Sequence, residues 1–139
     1  IGAVMTQGKA VGLLGAGSHG STYGGTVLGS RVVYTVLDTL EKENAVANAA
    51  TVGAYIVDQL KAQLADYNVQ VRGFGMMIGI QLPKDCAELV AIARDQYKLI
   101  INVTAGSVVR LLPPLNMTQA QADELLLRLV PAIQNFLKA

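Results

Sequence analysis

The sequence of 139 residues has few of the residue types that mark several large classes of protein. It has no tryptophan and one cysteine, Cys86, so it cannot form an internal disulfide, and its lone thiol fits a reducing compartment. Aromatic residues make up 5% of the chain, charged residues make up 15%, and the 11 basic side chains form no run. We therefore expect no nucleic-acid partner. No stretch of about 18 uninterrupted apolar residues occurs, so we expect no membrane-spanning segment.

Apolar residues are abundant, at 52% of the chain. This is ample for the core of one compact domain, and the composition is typical of a folded chain. The sequence starts at Ile1, in the middle of a pattern and without an initiator methionine. We expect it to be a piece of a longer protein, with a processed terminus as the alternative.

Apolar periodicity predicts two consecutive amphipathic helices, over residues 26–44 and 45–67. Thr26 stands where a residue could cap the first of them. The period then changes, and residues 69–73 and 75–83 are predicted to be short strands with glycines that mark a bend or a close approach.

The rest of the chain predicts a helix, two strands and a terminal helix. The helix covers residues 85–97, with Asp85 as its cap and Glu88 at the spacing of a capping box. The strands cover residues 98–104 and 108–114.

The terminal helix begins at Thr118 and contains Pro131, which should bend it or mark two joined helices. Strands that cluster between helices predict an α+β fold. We expect a small antiparallel sheet of about four strands, covered by helices on one face and preceded by a loop and long helices.

The stretch GSHGSTYGG, residues 17 to 25, suits an anion better than a core. Its glycines let main-chain amides approach a ligand, Ser21 and Thr22 add hydroxyl donors, and a helix N-terminus follows. A phosphate group is the ligand that these donors suit best, although the lysine of a Walker A loop is absent. A plain connecting loop is the alternative.

Two arginines stand out in the predicted strands. Arg110, in VVRLLPP, is a lone cation among apolar residues, and it either extends to the surface or grips a carboxylate with its planar fork. Arg72, in VRGFG, has the same two options, and the preferred one is a structural role in which it bonds nearby carbonyl groups.

The other residues that could bind a metal or act as a nucleophile have simpler interpretations. His19 has no second ligand at metal or triad spacing, so we expect a loop histidine and no metal site. Cys86 could be activated at a helix start, but a small buried residue is the better interpretation. Met76 and Met77 are most simply core filling.

Four motifs in order resemble the C-terminal third of the class III pyridoxal-phosphate aminotransferases, and the match covers essentially the whole chain. They are GSHGSTYGG before a helix, VRGFGMMIGI, INVTAGSVVRLLPPL and a terminal helix, of which the third is the most specific. The initial IGAVMT resembles the segment that follows the cofactor lysine in this family.

The resemblance implies a fold type I pyridoxal-phosphate enzyme. Residues 1–43 would end the large cofactor domain and residues 44–139 would form the small domain. Thr22, with Ser21 beside it, would bind the cofactor phosphate of the other subunit in a homodimer, and Arg110 would bind the substrate α-carboxylate. Asn102, Thr104 and Gly106 would lie on the loop that leads to Arg110.

This sequence departs from the family pattern in two ways. Thr26-Val27 replaces the usual Asn-Pro after the double glycine, with little expected change in phosphate contact. None of the six lysines lies in the family's lysine context, so the Schiff-base lysine would precede Ile1, as would the acidic and aromatic residues that contact the cofactor ring. We expect no catalytic residue in this chain and no transamination by the chain alone.

The activity implied by the resemblance is transfer of an amino group between N-acetylornithine and 2-oxoglutarate, in arginine biosynthesis in the cytoplasm. Ornithine, succinylornithine and 4-aminobutyrate are alternative amines. A non-catalytic domain that associates with itself is the alternative of another class, since an isolated piece would expose apolar surface.

Overall fold

Four short strands form one antiparallel sheet. The computed structural model describes residues 4–138. Strands β1 (Gln70–Phe74), β2 (Met77–Gln81), β3 (Asn102–Thr104) and β4 (Val108–Leu111) lie in the order β1-β2-β4-β3, and every neighbouring pair is antiparallel. The predicted sheet of about four strands is therefore confirmed.

Four α-helices occur within residues 4–138: α1 (Val27–Lys42), α2 (Ala45–Gln63), α3 (Leu89–Tyr97) and α4 (Gln119–Lys138). Short 3-10 turns cover Gly8–Ala10 and Ala65–Tyr67. The chain divides into two compact units, residues 1–42 and residues 43–139. The α+β class is confirmed by this combination of sheet and helices.

In the first unit, the polar loop leads into α1. Thr26 caps this helix as expected, because its hydroxyl accepts a hydrogen bond from the Gly29 amide at 3.3 Å. Its carbonyl accepts the first helical bond, from the Ser30 amide at 2.8 Å. No residue of α1 is buried.

In the second unit, α2 covers the sheet with a continuous apolar face. Its buried positions recur every three or four residues and include two adjacent pairs, as one broad face of a helix requires. Ile56 and Leu60 are fully buried, and they belong to a core that includes Ile78 and Ile80 of β2 and Ile133 of α4.

The two faces of the sheet differ in chemistry. Strand residues alternate between faces, so Val71, Ile80 and Val109 point into the core. Arg72 and Arg110 occupy the opposite face, which is called the outer face below.

The start of α3 differs from the prediction. The helix begins at Leu89 after Glu88, and no side chain caps it. The Cys86 amide donates instead to the Gly106 carbonyl at 2.9 Å, which holds the segment before Leu89 against the β3–β4 connection. The expected Asp85 cap and its capping box with Glu88 are therefore wrong, because a tertiary hydrogen bond takes this segment out of the helix.

Two further expectations need correction. Pro131 lies inside the single helix α4, so the alternative of two joined helices is wrong; its carbonyl accepts a hydrogen bond from the Tyr97 hydroxyl at 3.5 Å. Met76 is buried as core filling requires, but Met77 is 68% exposed because it lies on the outer face.

Candidate functional site

Arg110 lies on the outer face and lines a cleft of about 510 Å³. Leu99–Asn102, Leu111–Pro113, Met117 and Leu125 form the rest of the wall. The side chain is exposed, and the three ion pairs found among residues 4–138 involve other residues. A free guanidinium at the edge of an apolar cleft is available for a carboxylate, which its planar fork can hold with two parallel hydrogen bonds.

Asn102 is next to Arg110 across the sheet. The two residues are partners in the β3–β4 ladder, and both line the cleft. Thr104 and Gly106 are not part of this lining. Thr104 pairs with Val108, and Gly106 forms the tight turn with φ +76°.

Gly106 is favoured by its backbone conformation, and the Asp85 side chain lies beside it. A Cβ atom there would lie 3.0 Å from Asp85 Oδ1, so the Asp85 side chain covers the turn. Burial raises the pKa of the nearby Cys86 thiol, and the Asp85 charge raises it further. The thiol is fully buried, which confirms the interpretation of Cys86 as a small core residue.

Ser21 and Thr22 lie in the first unit, in an exposed turn that ends at Gly25. Gly25 has φ +73°, a conformation that favours glycine. A Cβ atom at Gly24 would lie 2.6 Å from Ser21 Oγ, so the absence of a side chain there lets the Ser21 hydroxyl fold over the turn.

This turn fits a phosphate group but not the covalent attachment of a cofactor. Two hydroxyls and glycine-flanked amides, immediately before the N-terminus of α1, supply the donors that a phosphate monoester needs. His19 lies in the same loop, and no group of three or more potential metal ligands occurs within residues 4–138.

Arg72 does not have the role expected of it. The hydrogen bonds found within residues 4–138 leave its guanidinium without a carbonyl partner, and the side chain lies instead across Gly79 on the neighbouring strand. Gly79 itself was missed as a candidate residue. A single glycine inside a strand often marks a close approach, and that signal could have pointed to it.

Solved structures that share this α+β architecture are pyridoxal-phosphate-dependent aminotransferases. Residues 1–133 match the family model described as aminotransferase class-III. The chain therefore belongs to the class III aminotransferases, which are pyridoxal-phosphate-dependent enzymes.

The curated relatives of this chain are also named as aminotransferases. The chain is 42% identical to acetylornithine aminotransferase 1 of Bordetella parapertussis, over 99% of this chain and 35% of the relative. It is 40% identical to acetylornithine aminotransferase of Nitrosomonas europaea, over 100% of this chain and 36% of the relative. The chain thus spans about a third of the length of these curated relatives.

A solved structure agrees with the sequence comparison. Ornithine delta-aminotransferase of Plasmodium falciparum superimposes with a TM-score of 0.80 at 32% identity, over 90% of this chain and 34% of that one. No helix within residues 4–138 has both the length and the apolar character needed to cross a bilayer.

Proposed function

We propose that this chain is the C-terminal third of a homodimeric aminotransferase that moves an amino group between N-acetylornithine and 2-oxoglutarate. The names of the relatives support this amine, and the coverage of about a third of their length supports the assignment as a part. The free thiol of Cys86 is consistent with a cytoplasmic location.

The observation that carries the proposal is Arg110 at the edge of its cleft. Both an amino acid and a 2-oxo acid have a carboxylate next to the reacting carbon. A guanidinium that binds this group orients the reacting carbon, whichever of the two substrates is present.

The Ser21–Thr22 turn is proposed to hold the cofactor phosphate across a subunit boundary. Its neutral donors bind the phosphate without a lysine, and the N-terminus of α1 adds favourable dipoles. Pyridoxal phosphate, when bound, supplies the carbonyl group that takes up the amino group and the ring that accepts electrons.

The chain alone is proposed to be inactive. Lys9, Lys42, Lys61, Lys84, Lys98 and Lys138 are its lysines. None is in the family's cofactor-lysine context, so incubation with pyridoxal phosphate and borohydride should fix no cofactor on a single lysine. Stoichiometric labelling of one lysine, located by peptide mass spectrometry, would contradict this.

The activity is tested on the longer polypeptide that contains this chain. We expect acetylornithine to be the preferred amine in a panel with ornithine, succinylornithine and 4-aminobutyrate. Arg110→Gln should raise the KM for 2-oxoglutarate about tenfold or more, since a charge-assisted contact is lost. No transamination of any amine by the intact polypeptide would overturn the proposal.

Ornithine is the second candidate amine, favoured by the likeness to the Plasmodium enzyme. The amine panel separates these two. A non-catalytic domain that associates with itself is favoured by the exposed apolar residues of α1. In that case light scattering would show oligomers and the longer polypeptide would be inactive.

A further inference from the structure

Asn102 is the side-chain neighbour of Arg110 within the sheet. Arg110 has two ladder partners, Gly79 on β2 and Asn102 on β3, and the glycine presents no side chain. Directly opposite residues of an antiparallel pair project from the same face, with their Cβ atoms about 4.5–5.5 Å apart. The Asn102 amide is therefore within reach of a ligand that the Arg110 guanidinium holds.

The burial of the next residue on each strand agrees with this placement. Val103 packs against the core and Val109 is buried, so Asn102 and Arg110, one position away, lie on the outer face. Both are exposed. The two polar residues thus stand side by side on a surface that a ligand can reach.

The same two residues supply the polar side chains of the cleft at Arg110. Ten residues line this cleft, and the eight others are apolar. A carboxylate has about four lone-pair sites, of which the fork of an arginine takes two. The Asn102 amide, which carries two N–H donors, is the side-chain group of the wall that can serve a further site.

The Asn102 amide has no structural task among residues 4–138. By contrast, Asn48 Nδ2 donates to the carbonyls of Leu115 and Met117, at 2.7 and 3.0 Å, and ties α2 to the segment before α4. The hydrogen bonds found within the described residues give the Asn102 side chain no such partner. Its donors are therefore available to a ligand in the cleft.

We propose that Asn102 is a second binding residue for the carboxylate that Arg110 holds, with Asn102 Nδ2 donating a third hydrogen bond to it. The inference rests on the proposed function, which places the acid group of both substrates in this cleft. An uncharged donor adds affinity without a second cation beside Arg110. Because the carboxylate does not react, the bond is made equally before and during the reaction.

The first experiment measures binding to the 139-residue chain without cofactor or enzyme activity. The ¹⁵N-labelled chain is titrated with acetate at constant ionic strength, and NMR follows the Asn102 side-chain NH₂ and the Arg110 Nε–Hε signals. We expect both signals to shift with one dissociation constant, and neither to shift with acetamide, which has no charge. An Asn102 amide signal that does not move with acetate would overturn the proposal.

Variants at position 102 separate the hydrogen bond from the shape of the residue. Asn102→Ala should weaken acetate binding about fivefold, as the loss of one hydrogen bond to a charged group predicts. Asn102→Gln keeps the donor and should retain more affinity than Asn102→Ala. Asn102→Asp should bind most weakly, because its carboxylate pairs with Arg110 and repels the ligand.

Thr104→Ala is the matched control, because Thr104 lies on the same strand, is also exposed and does not line the cleft. It should leave acetate affinity unchanged. Backbone amide spectra check that every variant is folded. An Asn102→Ala chain that binds acetate as tightly as the unaltered chain, or no more weakly than Thr104→Ala, would overturn the proposal.

Steady-state kinetics of the longer polypeptide give a second readout. Asn102→Ala should raise the KM about fivefold for the amine and for the 2-oxo acid alike, since both have the carboxylate, and should change kcat by less than about twofold. A KM that rises for one substrate only would overturn the proposal.

Failure of this inference is distinguishable from failure of the proposed function. If the longer polypeptide transaminates and only Arg110→Gln raises the KM, Asn102 has no binding role and the enzyme assignment stands. If acetate binding to the chain depends on Asn102 but the longer polypeptide transaminates no amine, the carboxylate site stands and the enzyme assignment fails.

Discussion

Helices α1 and α2 have the same kind of apolar spacing but differ in what covers it. In α2 the apolar positions are buried against the sheet and α4, whereas α1 has no buried residue within its own unit. Leu28 of α1 is 77% exposed and Leu60 of α2 is fully buried. Periodicity thus predicts the helix and its apolar face, but it does not say where the covering surface comes from.

The largest expected effect tests this difference directly. Leu60→Ala should destabilise the chain by about 2–5 kcal/mol, because it removes apolar contacts and leaves a cavity in the core. Leu28→Ala, the same change in α1, should stay within about 0.5 kcal/mol. Urea unfolding followed by circular dichroism measures both. Comparable losses for the two variants would mean that α1 is covered in solution.

Two glycines of the second unit, Gly53 and Gly79, differ in the space around them, and substituting them should give the next largest difference in stability. A Cβ atom at Gly53 would lie 2.1 Å from the Gly75 carbonyl oxygen, so α2 and the β1–β2 turn are in direct backbone contact. Gly53→Ala should cost about 1–3 kcal/mol from overpacking, despite a helix-propensity gain of about 1 kcal/mol.

Gly79→Ala is the matched control, because its Cβ would make only ordinary contacts. Its free energy of unfolding should change by less than about 0.5 kcal/mol. The same denaturation experiment measures both variants. A Gly53→Ala chain as stable as the control would show that the helix and the turn can separate at little cost.

Much of the second unit could be predicted from local pattern. The strands around Arg72 and Arg110 and the turn at Ala105–Ser107 follow from alternating residues and turn chemistry. The start of α3 could not be predicted, since the Cys86–Gly106 hydrogen bond joins segments distant in sequence. Local pattern at Asp85 and Glu88 pointed to a cap that this tertiary contact overrides.

Part of the candidate site could likewise be predicted from the sequence, and part of it could not. Arg110 was identifiable as a lone cation in an apolar strand, and Ser21 and Thr22 as hydroxyls in a glycine-rich loop. The position of Arg72 over Gly79 depends on the register of the sheet, which a single sequence does not specify.

Helix caps give a smaller contrast between the units. Thr118 and Gln121 form a reciprocal capping box at the start of α4: the Gln121 amide donates to Thr118 Oγ1 at 3.3 Å, and the Thr118 amide donates to Gln121 Oε1 at 2.9 Å. Thr118→Ala should cost about 1 kcal/mol in the main unfolding transition.

Thr26→Ala removes the cap of α1 and is the matching change in the first unit. We expect it to lower helical content slightly without moving the main transition, because α1 has no buried residue to couple it to a core. Circular dichroism and urea unfolding of both variants check this. Equal shifts of the main transition would contradict it.

The smallest expected effect is a pH dependence confined to the second unit. Asp95 accepts two hydrogen bonds from Arg94, at 2.7 and 2.9 Å, and this contact lowers the pKa of the Asp95 carboxyl below its ordinary value of 3.8. A depressed native pKa contributes stability that is present above the ordinary value and is lost as the pH falls through the native value.

Because the pair is exposed, solvent screens it and the contribution is small. The urea midpoint of the chain should therefore fall slightly more between pH 5 and pH 3 than that of Arg94→Gln, a comparison in which the other carboxylates cancel. The difference should shrink in high salt, as expected for an exposed pair. If the urea midpoint of Arg94→Gln falls with pH as much as that of the unaltered chain, the ion pair does not stabilise the folded state selectively. The pair would then also form in the unfolded state, as neighbours in sequence can.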